Sequence, residues 1–446
     1  MQIVDFHLHS KYSRACSKNL DIDNLEKWGR IKGLDILSSC DFTHPIWIKE
    51  LKSKLKENST GEKGIFNTSS GFRFILSTEI SLVYTDFGKG RRIHLIVTAP
   101  DFGCVSQITE YLLSKGRIDY DGRPIFKIPA SEFVYEMKKI SNDIEVIPAH
   151  CMTPWFGVFG SKSGYDSLKE CFKDQLKHIH ALETGLSADP SMLYRVKEWR
   201  DYAFVSNSDS HSFWPWRLGR EATIFHMKNI SYDNFIKSIR EKNIGTVEVD
   251  PNYGIYHYTG HRNCGIVMSP QEAAKVNNVC PVCHNIMTVG VDARIEMLAD
   301  KPAGFYPENG QRYYKMLPLS ELIAGLHRTS MASKKTWEIF NALIKAFKNE
   351  YNILLNVSYD DLIKVADKQL ADLIIMNREG KIKVKPGFDG IYGVAMIHGD
   401  EKYNMSRVGS ETSDKPEAKE NVEKLKTKLA KQKTENINQP SLSKFF

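Results

Sequence analysis

The chain opens on Gln2-Ile3-Val4-Asp5-Phe6-His7-Leu8-His9, a short apolar strand that runs into two histidines. The same pattern returns along the first 250 residues, where one apolar strand after another carries or precedes a histidine or a carboxylate. The later side chains of this pattern are Asp41 and His44, Glu79, His94, His150, Glu183, and Asp209 with His211. Segments with helical periodicity separate the strands, which indicates an α/β fold with a mostly parallel sheet.

The number of strands that carry such side chains favours a closed barrel over an open sheet. An open α/β sheet gathers its site at one switch point. A barrel brings the C-terminal ends of all its strands to one mouth. We therefore expect residues 1–250 to form an α/β barrel whose mouth is lined by imidazoles and carboxylates.

The overall composition is that of a globular protein with a slightly basic surface. The 446 residues are 41% hydrophobic and carry a formal net charge of +7. That charge suits a polyanionic partner or simply a well-solvated surface. Eight cysteines are too few for a disulfide scaffold in a chain of this length. We see neither an apolar run long enough for a membrane span nor a signal-peptide pattern, and so expect a cytoplasmic protein.

The imidazoles and carboxylates predict a multinuclear metal centre. In a strand, a His-x-His pair directs both rings to one side, and Asp209 and His211 repeat that spacing. The predicted ligands are His7, His9, Asp41, His44, Glu79, His94, His150, Asp209 and His211. Glu79 is the candidate for a bridge between ions, whereas His178 and His180 are expected to be structural.

This set of ligands predicts phosphoester hydrolysis. Two or three divalent ions (Zn, Mn, Mg or Fe) lying about 3.5–4 Å apart can activate a water as hydroxide and clamp a phosphate. We expect Asp209, Glu79 and His211 to be the catalytic residues.

On these residues, Met1–Asp250 resembles a polymerase-and-histidinol-phosphatase (PHP) domain. The resemblance implies a distorted seven-stranded (β/α) barrel with a multinuclear metal centre. Many members have an adjacent Asp-His pair at the second motif, whereas here two residues separate Asp41 from His44. The sequence leaves open which of the two is a ligand. A ligand that some members carry soon after His9 has no match in Arg14-Ala15-Cys16, so a third metal position also stays open.

A second metal site is predicted beyond Pro251, in a segment rich in Tyr, Cys, Gly and His. The spacing His261-x2-Cys264-x15-Cys280-x2-Cys283 matches a closed, tetrahedral zinc ribbon with a structural role. His261 is the ligand with least support, since His257 and His284 lie nearby. We expect a zinc-binding module over 251–300 and a helical C-terminal domain over 301–400. A disordered linker should follow over 401–438.

The barrel, the ribbon and the helical region together resemble the endonuclease Q family over about residues 1–395. The sequence segments that carry the resemblance are Cys40-Asp41-Phe42-Thr43-His44-Pro45, Leu182-Glu183-Thr184-Gly185-Leu186-Ser187 and Gly260-His261-Arg262-Asn263-Cys264-Gly265. The family is mainly archaeal. The resemblance implies a DNA repair enzyme, expected to be a monomer. It would cut on the 5′ side of deaminated bases (hypoxanthine, uracil or xanthine) and of abasic sites.

Several side chains that directly follow ligand-bearing strands are candidates for contacts with DNA. Aromatic rings can stack on an extruded base and arginines can bind phosphate, although packing of the barrel rim explains the rings equally well. The candidates are Trp155, Phe156, Trp214, Trp216, Arg217 and Arg220.

The last eight residues resemble a box that binds the sliding clamp (PCNA). Gln439, Leu442, Phe445 and Phe446 have the spacing of such a box. In one helical turn, the leucine and the two phenylalanines would fall on one side and fill an apolar pocket. A chance hydrophobic terminus is the alternative.

Two other functions remain open at this point. A PHP-type barrel could act on a small phosphoester, but the ribbon and the clamp box would then have no purpose. A catalytically inactive barrel could serve as a DNA-binding scaffold, but the set of candidate ligands argues against it.

Overall fold

A computed structural model describes residues 1–57 and 61–397. The strands are β1 Gln2–Asp5, β2 Ile36–Ser38, β3 Lys56–Glu57, β4 Phe66–Asn67, β5 Arg73–Asp86, β6 Lys89–Ala99, β7 Ile125–Phe126, β8 Glu145–Pro148, β9 Ala181–Glu183, β10 Ala203–Val205, β11 Ala222–Phe225, β12 Ile244–Glu248, β13 Thr259–His261, β14 Ile266–Met268, β15 Tyr313–Lys315, β16 Val384–Lys385 and β17 Val394–Ala395. The fold is mixed α/β, as predicted.

Helices lie between these strands and then dominate after β15. They are α1 Ile22–Lys32, α2 Trp47–Lys54, α3 Phe102–Lys115, α4 Ala130–Ile140, α5 Leu168–Phe172, α6 Pro190–Leu193, α7 Tyr232–Arg240, α8 Pro270–Lys275, α9 Val291–Leu298, α10 Leu319–His327, α11 Lys334–Phe347, α12 Glu350–Leu355, α13 Tyr359–Leu362 and α14 Lys368–Arg378. None of the described helices is long and apolar enough to cross a membrane. The predicted linker and the clamp box with Gln439, Leu442, Phe445 and Phe446 lie outside the described residues.

Helix α1 shows how local sequence sets the ends of an element. The Asp21 carboxylate accepts a hydrogen bond from the backbone N–H of Asn24, which caps the N-terminus of the helix. Gly33 ends the helix with φ of 92°, a left-handed conformation that favours glycine. Between these ends, Leu25 and Trp28 are buried and anchor the helix on the sheet.

Strands β1, β2, β5, β6 and β8 are paired in one sheet, and β9 with β10 form a separate two-stranded sheet that single backbone contacts link to it. Strand β1 pairs with β2, and β2 with β5, in parallel. Strand β5 pairs with β6, and β6 with β8, in antiparallel fashion. The N–H of Cys151, just after β8, donates to the carbonyl of Glu183 in β9. Strand β9 pairs with β10 in parallel, and a bridge between Leu8 and Ser210 returns to β1.

The prediction of a mostly parallel sheet is wrong. Strands β5 and β6 form a long hairpin whose turn residues, Phe87 and Gly88, have φ of 50° and 70°, as a two-residue hairpin turn requires. Strands β11 and β12 add to β1 in antiparallel order. As a consequence His94 lies in the middle of β6 rather than at the end of a parallel strand.

The helical region is joined to the first half of the chain by backbone pairing and by a buried ion pair. Strand β15 extends the sheet in parallel beside β12. The Lys32 ammonium of α1 donates to the Glu350 carboxylate of α12 at 2.7 Å, and the two side chains are 1% and 0% exposed. Lys32 also donates to the carbonyl of Pro215, while Glu350 accepts from the N–H of Leu319. This network ties four segments of the chain together: α1, the loop at Pro215, the start of α10 and α12.

We expect the variant Lys32→Met to destabilise the chain by about 3–5 kcal/mol, because it leaves the Glu350 carboxylate buried without a counter-charge. Denaturant unfolding measures the change. Lys32→Met combined with Glu350→Leu should recover most of the loss, since neither charge then remains. Lys27→Met, on an exposed position of the same helix, is the control and should change little. A loss in the double variant as large as in Lys32→Met would contradict this account.

Candidate metal centre

Four of the predicted ligands come together where β1 ends. The ligand atoms of His7, His9, Glu79 and Asp209 all lie within 4.8 Å of one another. The two histidines directly follow β1, and Glu79 lies within β5. The N–H of Asp209 donates to the carbonyl of His7 at 3.0 Å, so that the loop after β10 is fixed against the end of β1.

A second group shares Glu79 with the first. Its other members are His94 and His150, again with ligand atoms within 4.8 Å. Glu79 Oε1 lies 2.7 Å from His94 Nδ1 and 3.2 Å from His150 Nε2. Glu79 Oε2 lies 3.2 Å from His9 Nε2 and 3.6 Å from His7 Nε2. One carboxylate thus faces both groups, which is the arrangement that a bridging ligand needs.

The atoms at the centre of the first group fit a bound cation. His7 Nε2, His9 Nε2 and Asp209 Oδ1 are buried and have no hydrogen-bond partner among the described residues. They nevertheless crowd together, since Asp209 Oδ1 lies 3.0 Å from His9 Nε2 and 3.8 Å from His7 Nε2. Buried polar atoms are rarely left unpaired. A mixed set of imidazoles and carboxylates is also the donor set of catalytic zinc, manganese and iron.

The protonation states of Glu79 and His94 suit metal binding. Burial alone would raise the pKa of Glu79, but the neighbouring cations, His94 when protonated and Arg123 permanently, hold it well below its usual range. Burial lowers the pKa of His94 to about 4. Glu79 is therefore ionised and His94 neutral at pH 7, which are the forms that ligate metals.

Two further carboxylates hold the first pair of imidazoles in place. Both oxygens of Glu183 lie 3.0 Å from His7 Nδ1, and Asp41 Oδ1 lies 3.2 Å from His9 Nδ1. Glu183 also accepts from the side chain of Asn207 and the N–H of His150. A carboxylate behind a ligating histidine orients the ring and makes it more basic.

The remaining predicted ligands lie outside both groups. Asp41 lies behind His9 rather than beside Glu79. His44 stacks on the ring of Tyr12, with 4.3 Å between the ring centroids. His211 is close to the centre, since its Nδ1 lies 3.0 Å from the carbonyl of Asp209 and its ring centroid 4.5 Å from that of His9. Glu183, which ends a strand in the same way as the ligands, was absent from the predicted site.

Several site residues have an unusual backbone conformation. Asp41, His150 and Asp209 have φ of 29°, 29° and 46°, and Cys40 has φ of 57°. Non-glycine residues are uncommon in the left-handed region, and those found there cluster at functional sites. The turns aim these side chains, and nothing in the local sequence signals them.

Only part of the predicted aromatic and arginine set borders the centre. The ring of Phe156 packs on that of His94, with a centroid distance of 4.3 Å. Trp155 packs on Tyr256. Trp214 and Trp216 stack on each other and contact Trp337 of α11.

The two predicted arginines have partners within the protein. The Arg217 guanidinium lies over the ring of Tyr392. Arg220 donates to the carbonyl of Ser208, next to Asp209, so that it supports the loop that carries a ligand.

The cysteine segment brings its four predicted ligands together. The donor atoms of His261, Cys264, Cys280 and Cys283 lie within 4.8 Å of one another, whereas His257 and His284 are outside this group. The pKa of Cys280 is lowered to about 6 because hydrogen bonds from the backbone of Cys283 and Val282 outweigh its burial. The thiolate is the form that binds zinc.

Comparisons with known proteins give one family and several relatives. Residues 318–381 match the family described as the MJ0043 C-terminal domain. The uncharacterized protein MJ0043 of Methanocaldococcus jannaschii is 34% identical over 292 residues. That match covers 62% of this chain but only 34% of MJ0043, so the chain spans about a third of the length of this relative.

Two crystal structures are similar over almost the whole chain. One is the lesion-specific endonuclease PfuEndoQ from Pyrococcus furiosus, with a TM-score of 0.79, 29% identity, and coverage of 91% of this chain and 99% of that one. The other is Endonuclease Q in complex with a 27-mer duplex substrate that has an abasic lesion at the active site. It has a TM-score of 0.78, 29% identity, and coverage of 93% and 99%.

The cysteine group generates a direct test. We expect Cys280→Ser combined with Cys283→Ser to remove one zinc ion per chain and to destabilise residues 252–295, because two of four ligands are lost. The metals bound at Glu79 should remain. Elemental analysis of the purified protein measures the change, and His284→Ala, next to Cys283 but outside the group, is the control. An unchanged zinc content in the double variant would refute the site.

Proposed function

This chain belongs to the endonuclease Q family, and we propose that it is a metal-dependent endonuclease that cuts damaged DNA. The observation that carries the proposal is the buried Glu79 carboxylate, which faces one histidine pair through each oxygen. A centre of this kind could hydrolyse phosphoesters of small molecules or of DNA. The choice of DNA as the substrate therefore rests on the similarity to the two crystal structures.

In this proposal, the first ion is held by His7, His9, Glu79 and Asp209, and the second by Glu79, His94 and His150. Divalent ions there would supply an activated water and neutralise charge that develops on the phosphate. The protein supplies orientation, since Glu183 and Asp41 fix the rings of His7 and His9. It also shields Glu79 and His9 from bulk solvent, since both side chains are fully buried. The cysteine group would hold a structural zinc, and strands β1, β2, β5, β6, β8, β9 and β10 would form the distorted PHP barrel.

For the substrate, we propose deaminated bases (hypoxanthine, uracil and xanthine) and abasic sites, with cleavage on the 5′ side. A damaged nucleotide leaves the stack at lower cost than an intact one, and must do so to reach a centre recessed between strands. Phe156, which lies on His94, is the aromatic residue best situated to contact it. Clamp binding through Gln439, Leu442, Phe445 and Phe446, and action as a monomer in the cytoplasm, are parts of the same proposal.

The test compares the wild-type chain with Asp209→Ala on duplexes that contain one deoxyuridine, one deoxyinosine, one abasic site or no lesion. With divalent metal, the wild type should nick the three damaged duplexes 5′ to the lesion and spare the intact one. Asp209→Ala should lose at least about 1000-fold in rate, because a metal ligand contributes several kcal/mol to the transition state.

Asp201→Ala removes an exposed carboxylate just before β10 and should behave as the wild type. Cleavage of a small phosphomonoester without nicking of DNA would replace the proposal by the phosphoesterase alternative. Lesion-specific binding without any cleavage would replace it by the inactive scaffold.

A further inference from the structure

One cation, Arg123, projects into the candidate metal centre from a loop that carries no predicted ligand. Its Nη1 atom donates to Glu79 Oε2 at 3.0 Å, and its side chain is 25% exposed. This is the same oxygen that faces His7 and His9. Burial alone would lower the pKa of the guanidinium, but the charges of Glu79 and Asp209 raise it, so that the side chain stays charged.

The loop around Arg123 is fixed on both sides. Before it, Asp121 accepts from the N–H groups of Arg14 and Arg123. After it, the carbonyl of Pro124 accepts from the N–H of Ser81 in β5, two residues beyond Glu79. The arginine is thus tied to the strand that carries the shared carboxylate.

Gly122 brings the same loop into direct contact with the centre. Its N–H donates to the carbonyl of Tyr12, and a β-carbon at this position would clash with the Asp41 carboxylate and the Ser13 hydroxyl. Only glycine allows this close approach. A loop that only covered the surface would not need a glycine at this position.

The guanidinium has more donors than the protein uses. Arginine carries five N–H donors in a planar fork that matches the oxygens of a phosphate. Among the described residues, Glu79 is the one hydrogen-bond partner of the Arg123 guanidinium. The other donors remain available on the exposed quarter of the side chain.

We infer that Arg123 binds a non-bridging oxygen of the phosphodiester that is cut. The inference rests on the proposed function, since it requires a phosphodiester at this centre. In the metal-free chain, Arg123 instead provides the permanent counter-charge of Glu79. A cation bound to Glu79 would take over that role and would leave the guanidinium free to form charge-assisted hydrogen bonds with the substrate.

The first experiment measures single-turnover nicking of a deoxyuridine duplex against DNA and salt concentration. In Arg123→Met the half-saturating DNA concentration should rise about tenfold, as expected for a lost hydrogen bond to a charged group. The slope of log affinity against log salt should fall by about one. Arg123→Lys keeps the charge and should retain the slope. Arg117→Met removes an exposed charge of the same loop, paired with Asp119, and should match the wild type.

The second experiment separates phosphate binding from a structural role. Thermal melting of Arg123→Met should be lower than that of the wild type in EDTA, because Glu79 loses its counter-charge. With saturating Mn²⁺, the two proteins should melt at the same temperature.

The inference is overturned if Arg123→Met nicks with wild-type half-saturation and salt slope, or if its melting deficit persists at saturating Mn²⁺. A wild-type chain that does not nick damaged DNA would overturn the proposed function and this inference with it. If the wild-type chain nicks damaged DNA and Arg123→Met behaves as the wild type does, only the inference is overturned.

Discussion

The charge of one fully buried carboxylate, Glu79, is the constraint on which the rest of this site depends. An ionised carboxylate cannot be buried without compensation, and here five side chains on four segments of the chain surround it. His7 and His9 approach one oxygen together with Arg123, and His94 and His150 approach the other. The charge of Glu79 therefore links segments that are far apart in the sequence.

The same requirement explains what the sequence could and could not predict. Strand-end histidines and carboxylates are visible as residue types after apolar runs, and the members of both metal groups were found in that way. His94 was found although it lies inside an antiparallel strand, because the prediction relied on a histidine beside an apolar run and not on the direction of the strand. Asp41 and Glu183 could not be told from ligands, since a carboxylate that binds a metal and one that orients a histidine have the same pattern in the sequence.

No pattern in the sequence pointed to Arg123, because it lies in a loop. Its position is set by contacts that Asp121, Gly122 and Pro124 make. The left-handed backbone at Asp41, His150 and Asp209 is likewise a product of the assembled fold rather than of local preference. The mixed strand directions were missed for a similar reason, since strand-helix alternation describes most of the segments and the β5–β6 hairpin interrupts it. The three cysteines of the cysteine group, by contrast, were predictable because their spacing is set within the sequence itself, whereas His261 was one of several nearby histidines.

Our central proposal is that Glu79 would bridge two divalent ions held by the histidine groups. Crystals of the wild-type chain grown with Zn²⁺, with anomalous data collected on both sides of the zinc absorption edge, test it directly. The account predicts one peak among His7, His9 and Asp209 and another between His94 and His150, each about 2.0–2.2 Å from an oxygen of Glu79. A third peak at the cysteine group serves as the internal control. A peak at the cysteine group with none beside Glu79 would contradict the claim.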